Sequence, residues 1–121
     1  IGENYLKITL EQDKLANFRM CLSMASRAQE VAKQFYYSGH AKISDYLSNY
    51  LEAANKANLL DISNSNQAAC QFLSLVRGDT HLRALFDIDY APSETSIQEA
   101  AQRSVHLFIK GYVSQEAPAR P

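Results

Sequence analysis

The stretch AACQFLSLVRGDTHLRALF, residues 68–86, decides how the rest of the chain is read. Ala68, Phe72, Leu75, Leu82 and Phe86 recur in it at helical spacing, and Ala69, Leu73 and Val76 form a second stripe beside them. So wide an apolar surface must be covered on more than one side. Residues 97–112 repeat the pattern with Ile97, Ala101, Val105, Phe108 and Tyr112, flanked by Ala100 and Ile109. At about 1.5 Å per residue each helix is roughly 25 to 30 Å long, the width of a small domain. Two such helices at the end of a chain of 121 residues carry more apolar face than the remainder can readily cover, which predicts a surface shared with a second copy.

Composition limits the function. With 46% hydrophobic residues the chain can build one core, and 12 Lys and Arg against 13 Asp and Glu leave a formal charge of −1. The charges are scattered, so no basic patch is available to hold nucleic acid, and the chain alone should not bind DNA. No apolar run reaches the ~18 residues of a membrane span, and no segment has the order of a signal peptide. The expectation is a soluble, cytoplasmic protein that makes no membrane contact. Cys21 and Cys70 lie in separate helical patterns without a paired or His-rich context, and read as reduced, buried apolar residues. Because the chain starts at Ile1 already in helical rhythm, it is expected to be part of something longer.

Before the long pair, Tyr5, Leu6, Ile8 and Leu10 mark a short helical segment. Thr9 with Gln12 has the form of a capping box, and Leu15, Phe18, Leu22 and Ala25 then recur at threes and fours. Ser26 with Gln29 repeats the device and opens a helix carrying Ala28, Val31, Ala32, Phe35 and Tyr36, which Gly39 is expected to end in a left-handed conformation. Ile43, Leu47, Tyr50, Leu51 and Ala54 carry the next helix to about Ala57, with Asn58 as its closing residue. Residues 58–66 form a polar connection. Pro92 interrupts residues 87–94, with Ser93 or Ser96 as the cap of the last helix and Ser96–Glu99 as a further capping box. The fold class is therefore all-α, an orthogonal bundle of five to six helices. The tail 114–121 lacks periodicity and is expected to be disordered.

Sites of chemistry are scarce in the pattern. His40, His81 and His106 fall on three segments without a metal-ligand partner at i+3 or i+4, no nucleotide or nucleophile motif occurs, and four glycines cannot build a phosphate loop. No metal, no cofactor and no catalytic residue is assigned, and the chain reads as a non-enzyme. Arg77-Gly78-Asp79 spells an adhesion tripeptide, but it is read as mid-helix, where a recognition loop cannot form. A glycine inside a helix costs about 1 kcal/mol relative to alanine, a cost that close approach of a second helix would explain.

The aromatic residues are distributed more informatively. Tyr5, Tyr36, Tyr37, Tyr46 and Tyr50 precede the long pair and mix with Phe18, Met20, Cys21, Met24 and Phe35. The second to fourth helices could thus enclose a cavity of polarizable apolar groups with a few hydroxyls, suited to a flat or flexible apolar ligand. An ordinary core explains the same residues.

Three runs, FYYSGHAKISDYLSNYLEAANKANLL, NQAACQFLSLVRGDTHLRALF and PSETSIQEAAQRSVHLFIKGY, make the chain resemble the C-terminal regulatory domain of TetR-family transcriptional repressors, of the AefR-like branch. The matching features are Phe35 and Tyr36 before Gly39, the alanine-rich helix ending at residues 53–60, Ala68 to Phe72 leading into Leu75 to Gly78, and Phe108 to Tyr112. Asn58 stands where such domains often carry glycine. The likeness spans about residues 15–112, and the helix-turn-helix by which the family is best known is absent from the sequence.

The resemblance implies a bacterial effector-binding and dimerisation domain over residues 1–113. Its last two helices would pair with their twins as a four-helix bundle, and DNA would be bound only through an N-terminal domain outside this chain. On that reading Phe18, Leu22, Phe35, Ile43, Tyr46, Leu47, Tyr50 and Phe72 are the candidate ligand residues. Phe72, Leu75, Val76, Gly78, Ala101, Val105, Phe108 and Tyr112 are the candidates for the homodimer interface. The small-molecule effector is expected to be weakly charged, since Arg19, Arg27 and Lys33 flank the apolar stripes rather than joining them. A helical interaction module with a solid core and no ligand is the alternative, and a convergent set of titratable groups in a cavity would favour a helical enzyme.

Overall fold

A computed structural model describes residues 1–113. Helix α1 is Gly2–Thr9, α2 is Gln12–Met24, α3 is Gln29–Phe35, α4 is Ala41–Lys56, α5 is Ser65–Phe86 and α6 is Glu94–Tyr112. A π-helical turn, Tyr36–His40, joins α3 to α4 without a break. The tail expected to be disordered lies outside the described residues. Among the described residues no helix is long and apolar enough to cross a membrane.

Helix α5 is the spine, packing on α1, α2, α4 and α6. Its inward stripe of Ala68, Ala69, Phe72, Leu73 and Val76 meets Leu6 of α1, Leu47 and Leu51 of α4, and Ile97 and Phe108 of α6. Leu6, Leu73 and Val76 are completely enclosed, each contributing about 1.5 to 3 kcal/mol relative to an exposed side chain. The Phe72 and Phe108 rings meet edge to face at 5.2 Å, a favoured aromatic geometry. Where α5 and α6 run together, the Ser104 hydroxyl sits 3.0 Å from the Leu75 carbonyl and 2.9 Å from that of Ala100.

The helix ends only partly follow the expected signals. Asn58 takes a left-handed φ of 59° as anticipated, and Ser93 caps α6 by accepting from the Ser96 amide at 3.1 Å. Asn64 caps α5 in the same way through Gln67. Ser96 is therefore inside α6 rather than its cap. Thr9 turns back on its own helix, donating to the Leu6 carbonyl at 2.8 Å, while α2 begins after Glu11. Ser26 does not cap α3, because the helix starts three residues later, at Gln29, behind Ala28. Gly39 does not end a helix: the π turn carries the chain straight through it, with no positive φ. An inserted residue that is absorbed as a π turn keeps the backbone hydrogen bonded, which a glycine stop would not.

Gly78 also differs from its reading. It has φ 42° and ψ −146°, and no atom lies within 4 Å of where its Cβ would be. Helix α5 is thus kinked, running as 65–77 and 79–86, and glycine is required by the backbone rather than by a crossing helix. The connection 58–66 is pinned rather than loose. The Asn55 amide makes both bonds of a ladder pair with the Ile62 backbone, each 2.9 Å. Ser65 donates to Glu52, and the Asp61 amide donates to the Tyr112 carbonyl at 2.8 Å.

Candidate functional site

Phe18 lies at the centre of the clustered aromatic residues. It stands edge-on to Phe35 at 5.9 Å and to His81 at 5.1 Å, bridging α3 and α5 from α2. Arg19, its neighbour, fixes α2 against the end of α5 by donating to the Leu85 and Ala84 carbonyls at 2.8 and 2.6 Å. Those carbonyls have no partner within the helix, and a cation at that end also meets the negative pole of the helix.

Between α2, α3, the π turn and α5 this arrangement leaves a cavity of about 290 Å³, near the lower limit for a small-molecule site. Phe18, Cys21, Leu22, Ala25, Ala32, Phe35, Tyr36, His40 and Arg77 line it. A broader cleft of about 710 Å³ shares Phe18, Leu22 and Arg77 with the cavity, and adds Arg19, Ser23, Gly78, His81, Leu82, Leu85 and Phe86. The π turn matters locally, since it brings Tyr36 and His40 together, their rings 5.3 Å apart, at the cavity wall.

The polar groups of the wall are unevenly charged. His81 is 5% exposed, and burial, with Arg77 adding to it, pushes its imidazole down to about 4. Burial and then Arg77 also lower His40. Tyr5 of α1 is raised by burial, against the pull of Arg77. Arg77 itself is half-buried, has one bond of 3.4 Å from Nε to the Leu73 carbonyl, and among the described residues forms no ion pair. At pH 7 the cavity and the cleft are therefore largely apolar, each with one neutral imidazole, His40 and His81 in turn, and the Arg77 guanidinium in common.

Of the eight ligand candidates, Phe18, Leu22 and Phe35 come together in the wall. Leu47 and Phe72 are instead buried in the main core. Ile43, Tyr46 and Tyr50 are exposed, Tyr46 to 72%, because α4 turns Ser44, Leu47, Ser48 and Leu51 inward and leaves the tyrosines to water. Cys21, Ala25, Ala32, Tyr36, His40 and Arg77 are wall residues that the sequence reading did not select. Tyr36 had a signal in the aromatic-rich segment. Arg77 had none, because an arginine is ordinarily read as solvated.

Apart from the cavity, α5 and α6 border a groove of about 640 Å³ that includes Cys70, Ser74, Leu75, Leu107, Gly111 and Tyr112. Leu75 is 41% exposed and Leu107 60%. Among the interface candidates, Phe72, Val76, Ala101 and Phe108 have their side chains in the chain's own core. Val105 and Tyr112 are half-buried, and Gly78 lies exposed at the kink. Leu107 and Cys70, not selected from sequence, face this groove. Among the described residues, no three His, Cys, Asp or Glu side chains are grouped to hold a metal ion.

Residues 1–114 match the family described as AefR-like transcriptional repressor, C-terminal domain. The chain belongs to this family. Two solved structures share its fold. A protein of Mesorhizobium loti MAFF303099 assigned to the TetR family of transcriptional regulators superposes with a TM-score of 0.87 at 15% identity, over 93% of this chain and 55% of its own. That likeness is one of fold. The flavonoid-responsive regulator FrrA superposes with a TM-score of 0.83 at 28% identity, over 96% of this chain and 58% of its own. This AefR-like domain spans little more than half the length of either protein. No curated protein matches it.

Proposed function

We propose that this AefR-like domain binds a small effector and dimerises, serving a TetR-family regulator whose DNA contacts are made outside this chain. The observation that carries the reading is the cavity between α2, α3, the π turn and α5, apolar and aromatic on most of its wall. The effector is a flat, largely apolar molecule, consistent with a relative at 28% identity named for its response to flavonoids. A twin chain packs on the groove between α5 and α6, where Leu75 and Leu107 are left in water in the single chain. Helix α2 carries both Phe18 and Leu22 and follows α1 after a turn at residues 10–11. A ligand that moves α2 therefore also moves α1. It alters DNA binding only as far as it prefers one of the two arrangements.

Calorimetric titration of the chain with naringenin tests the site. One molecule per chain is expected, with a rise in melting temperature that grows as ligand exceeds its dissociation constant; at a hundredfold excess the gain is about 2.7 kcal/mol. Ala32→Trp, which fills the cavity, should abolish binding. Equal binding by wild type and Ala32→Trp, or none by the wild type to naringenin or to the probes below, would reject the assignment.

A further inference from the structure

We propose that the effector carries one acidic oxygen, a carboxylate or an ionised phenol on its flat apolar body, and that Arg77 is the group that holds it. The proposal rests on the cavity being the effector site. Arg77 lines both the cavity and the adjoining cleft, as Phe18 and Leu22 do, and is the one charged side chain the two share. Its position comes from the fold: residue 77 is the last before the backbone leaves helical geometry at Gly78.

Three observations say that this guanidinium awaits an anion. First, no Asp or Glu lines either space, and among the described residues no carboxylate lies within ion-pair distance of Arg77. Second, a guanidinium has five N–H donors, and among the described residues Arg77 uses one, in a long bond to the Leu73 carbonyl. Third, the other cation in the cleft is already engaged, since Arg19 donates to the Ala84 and Leu85 carbonyls. A half-buried, unpaired cation beside aromatic rings is poorly solvated, and a carboxylate or phenolate offers it charge-assisted, planar bonding that water does not match. The wall's remaining polar groups do not compete. His40 and His81 are held neutral, in both cases partly by Arg77, and can accept or donate a single bond to the ligand. The expectation of a weakly charged effector therefore changes, because the basic residue that matters was not among those weighed on the sequence.

The test compares acids with their uncharged twins: 2-naphthoate against methyl 2-naphthoate, and naringenin against its 7-methyl ether, each titrated into wild type, Arg77→Met, Arg77→Lys and Ala32→Trp. The wild type should bind at least one of the acids about tenfold more tightly than its twin, a difference of ~1.4 kcal/mol. Greater apolarity of the twins would push the other way. Arg77→Met should erase the preference while still binding the twin, and Arg77→Lys should keep part of it. Which pair shows the preference tells carboxylate from phenol. Equal binding of acid and twin by the wild type, with both lost in Ala32→Trp, overturns the role of Arg77 and leaves the site standing. A preference that survives in Arg77→Met also overturns it. Failure of all four compounds to bind the wild type overturns site and anchor together.

Discussion

His81 is the residue whose environment departs most from its sequence reading. The sequence said of this histidine only that it has no metal-ligand partner nearby, yet it is 5% exposed and lies against the Phe18 ring. Its imidazole is held down to about 4 from an ordinary 6.5, first by burial and then by Arg77. The folded form therefore keeps His81 neutral where the unfolded chain takes up a proton. Stability from this group is complete above about pH 6.5 and is lost as pH falls from there toward 4. Urea unfolding near pH 7 and near pH 4.5 should show the wild type losing about 2 kcal/mol more than His81→Leu over that interval. Equal losses would mean that the imidazole is charged in the fold. The same scale explains what could be read of the site. Phe18, Leu22 and Phe35 were legible because each is apolar and in register with its own helix. Tyr46 and Tyr50 were misleading because tyrosine tolerates both water and burial. Arg77 was invisible because an arginine is ordinarily solvated, and nothing local marks one as half-buried without a carboxylate.

Elements were legible where the signal is local to the chain. The period of the apolar residues in α5 and α6 marks both helices, and Asn58 and Ser93 end or begin helices as their chemistry suggests. Where two local solutions exist, the sequence does not choose. Thr9 can cap a following helix or bond back to Leu6, and it takes the second. Gly39 can stop a helix or pass through one, and the π turn passes through it. The connection 58–66 looked like a polar loop because its restraint comes from residue 55, in the preceding helix. With Asn55→Ala, the buried Ile62 keeps an amide and a carbonyl without their present partners. A loss of about 2 kcal/mol is expected in chemical denaturation, larger than for an exposed polar residue on α4 such as Asn49. An unchanged midpoint would mean that water replaces the amide at no cost.

At the scale of the molecule, α5 has two surfaces with different work. One wall meets α2 and the π turn around the cavity, and the outer face with α6 is left bare in the single chain. The broad stripes made the helices readable but could not assign their faces. Phe108, the most conspicuous aromatic of α6, is spent inside at 6% exposure, while Leu107 beside it is 60% exposed. A charge at Phe108 would disrupt the core, so Leu107→Glu is the substitution that probes association.

The two cysteines happen to report on the two surfaces, since Cys21 lines the cavity and Cys70 the α5–α6 groove. The most direct measurement is the rate at which iodoacetamide alkylates each, resolved by mass spectrometry, with naringenin and protein concentration varied separately. Naringenin is expected to slow labelling of Cys21 alone. Rising protein concentration should slow labelling of Cys70, and Leu107→Glu should remove that second protection while leaving the first. If naringenin leaves Cys21 unprotected and Cys70 labels at one rate at every concentration, neither an effector site nor a twin interface lies where the structure suggests.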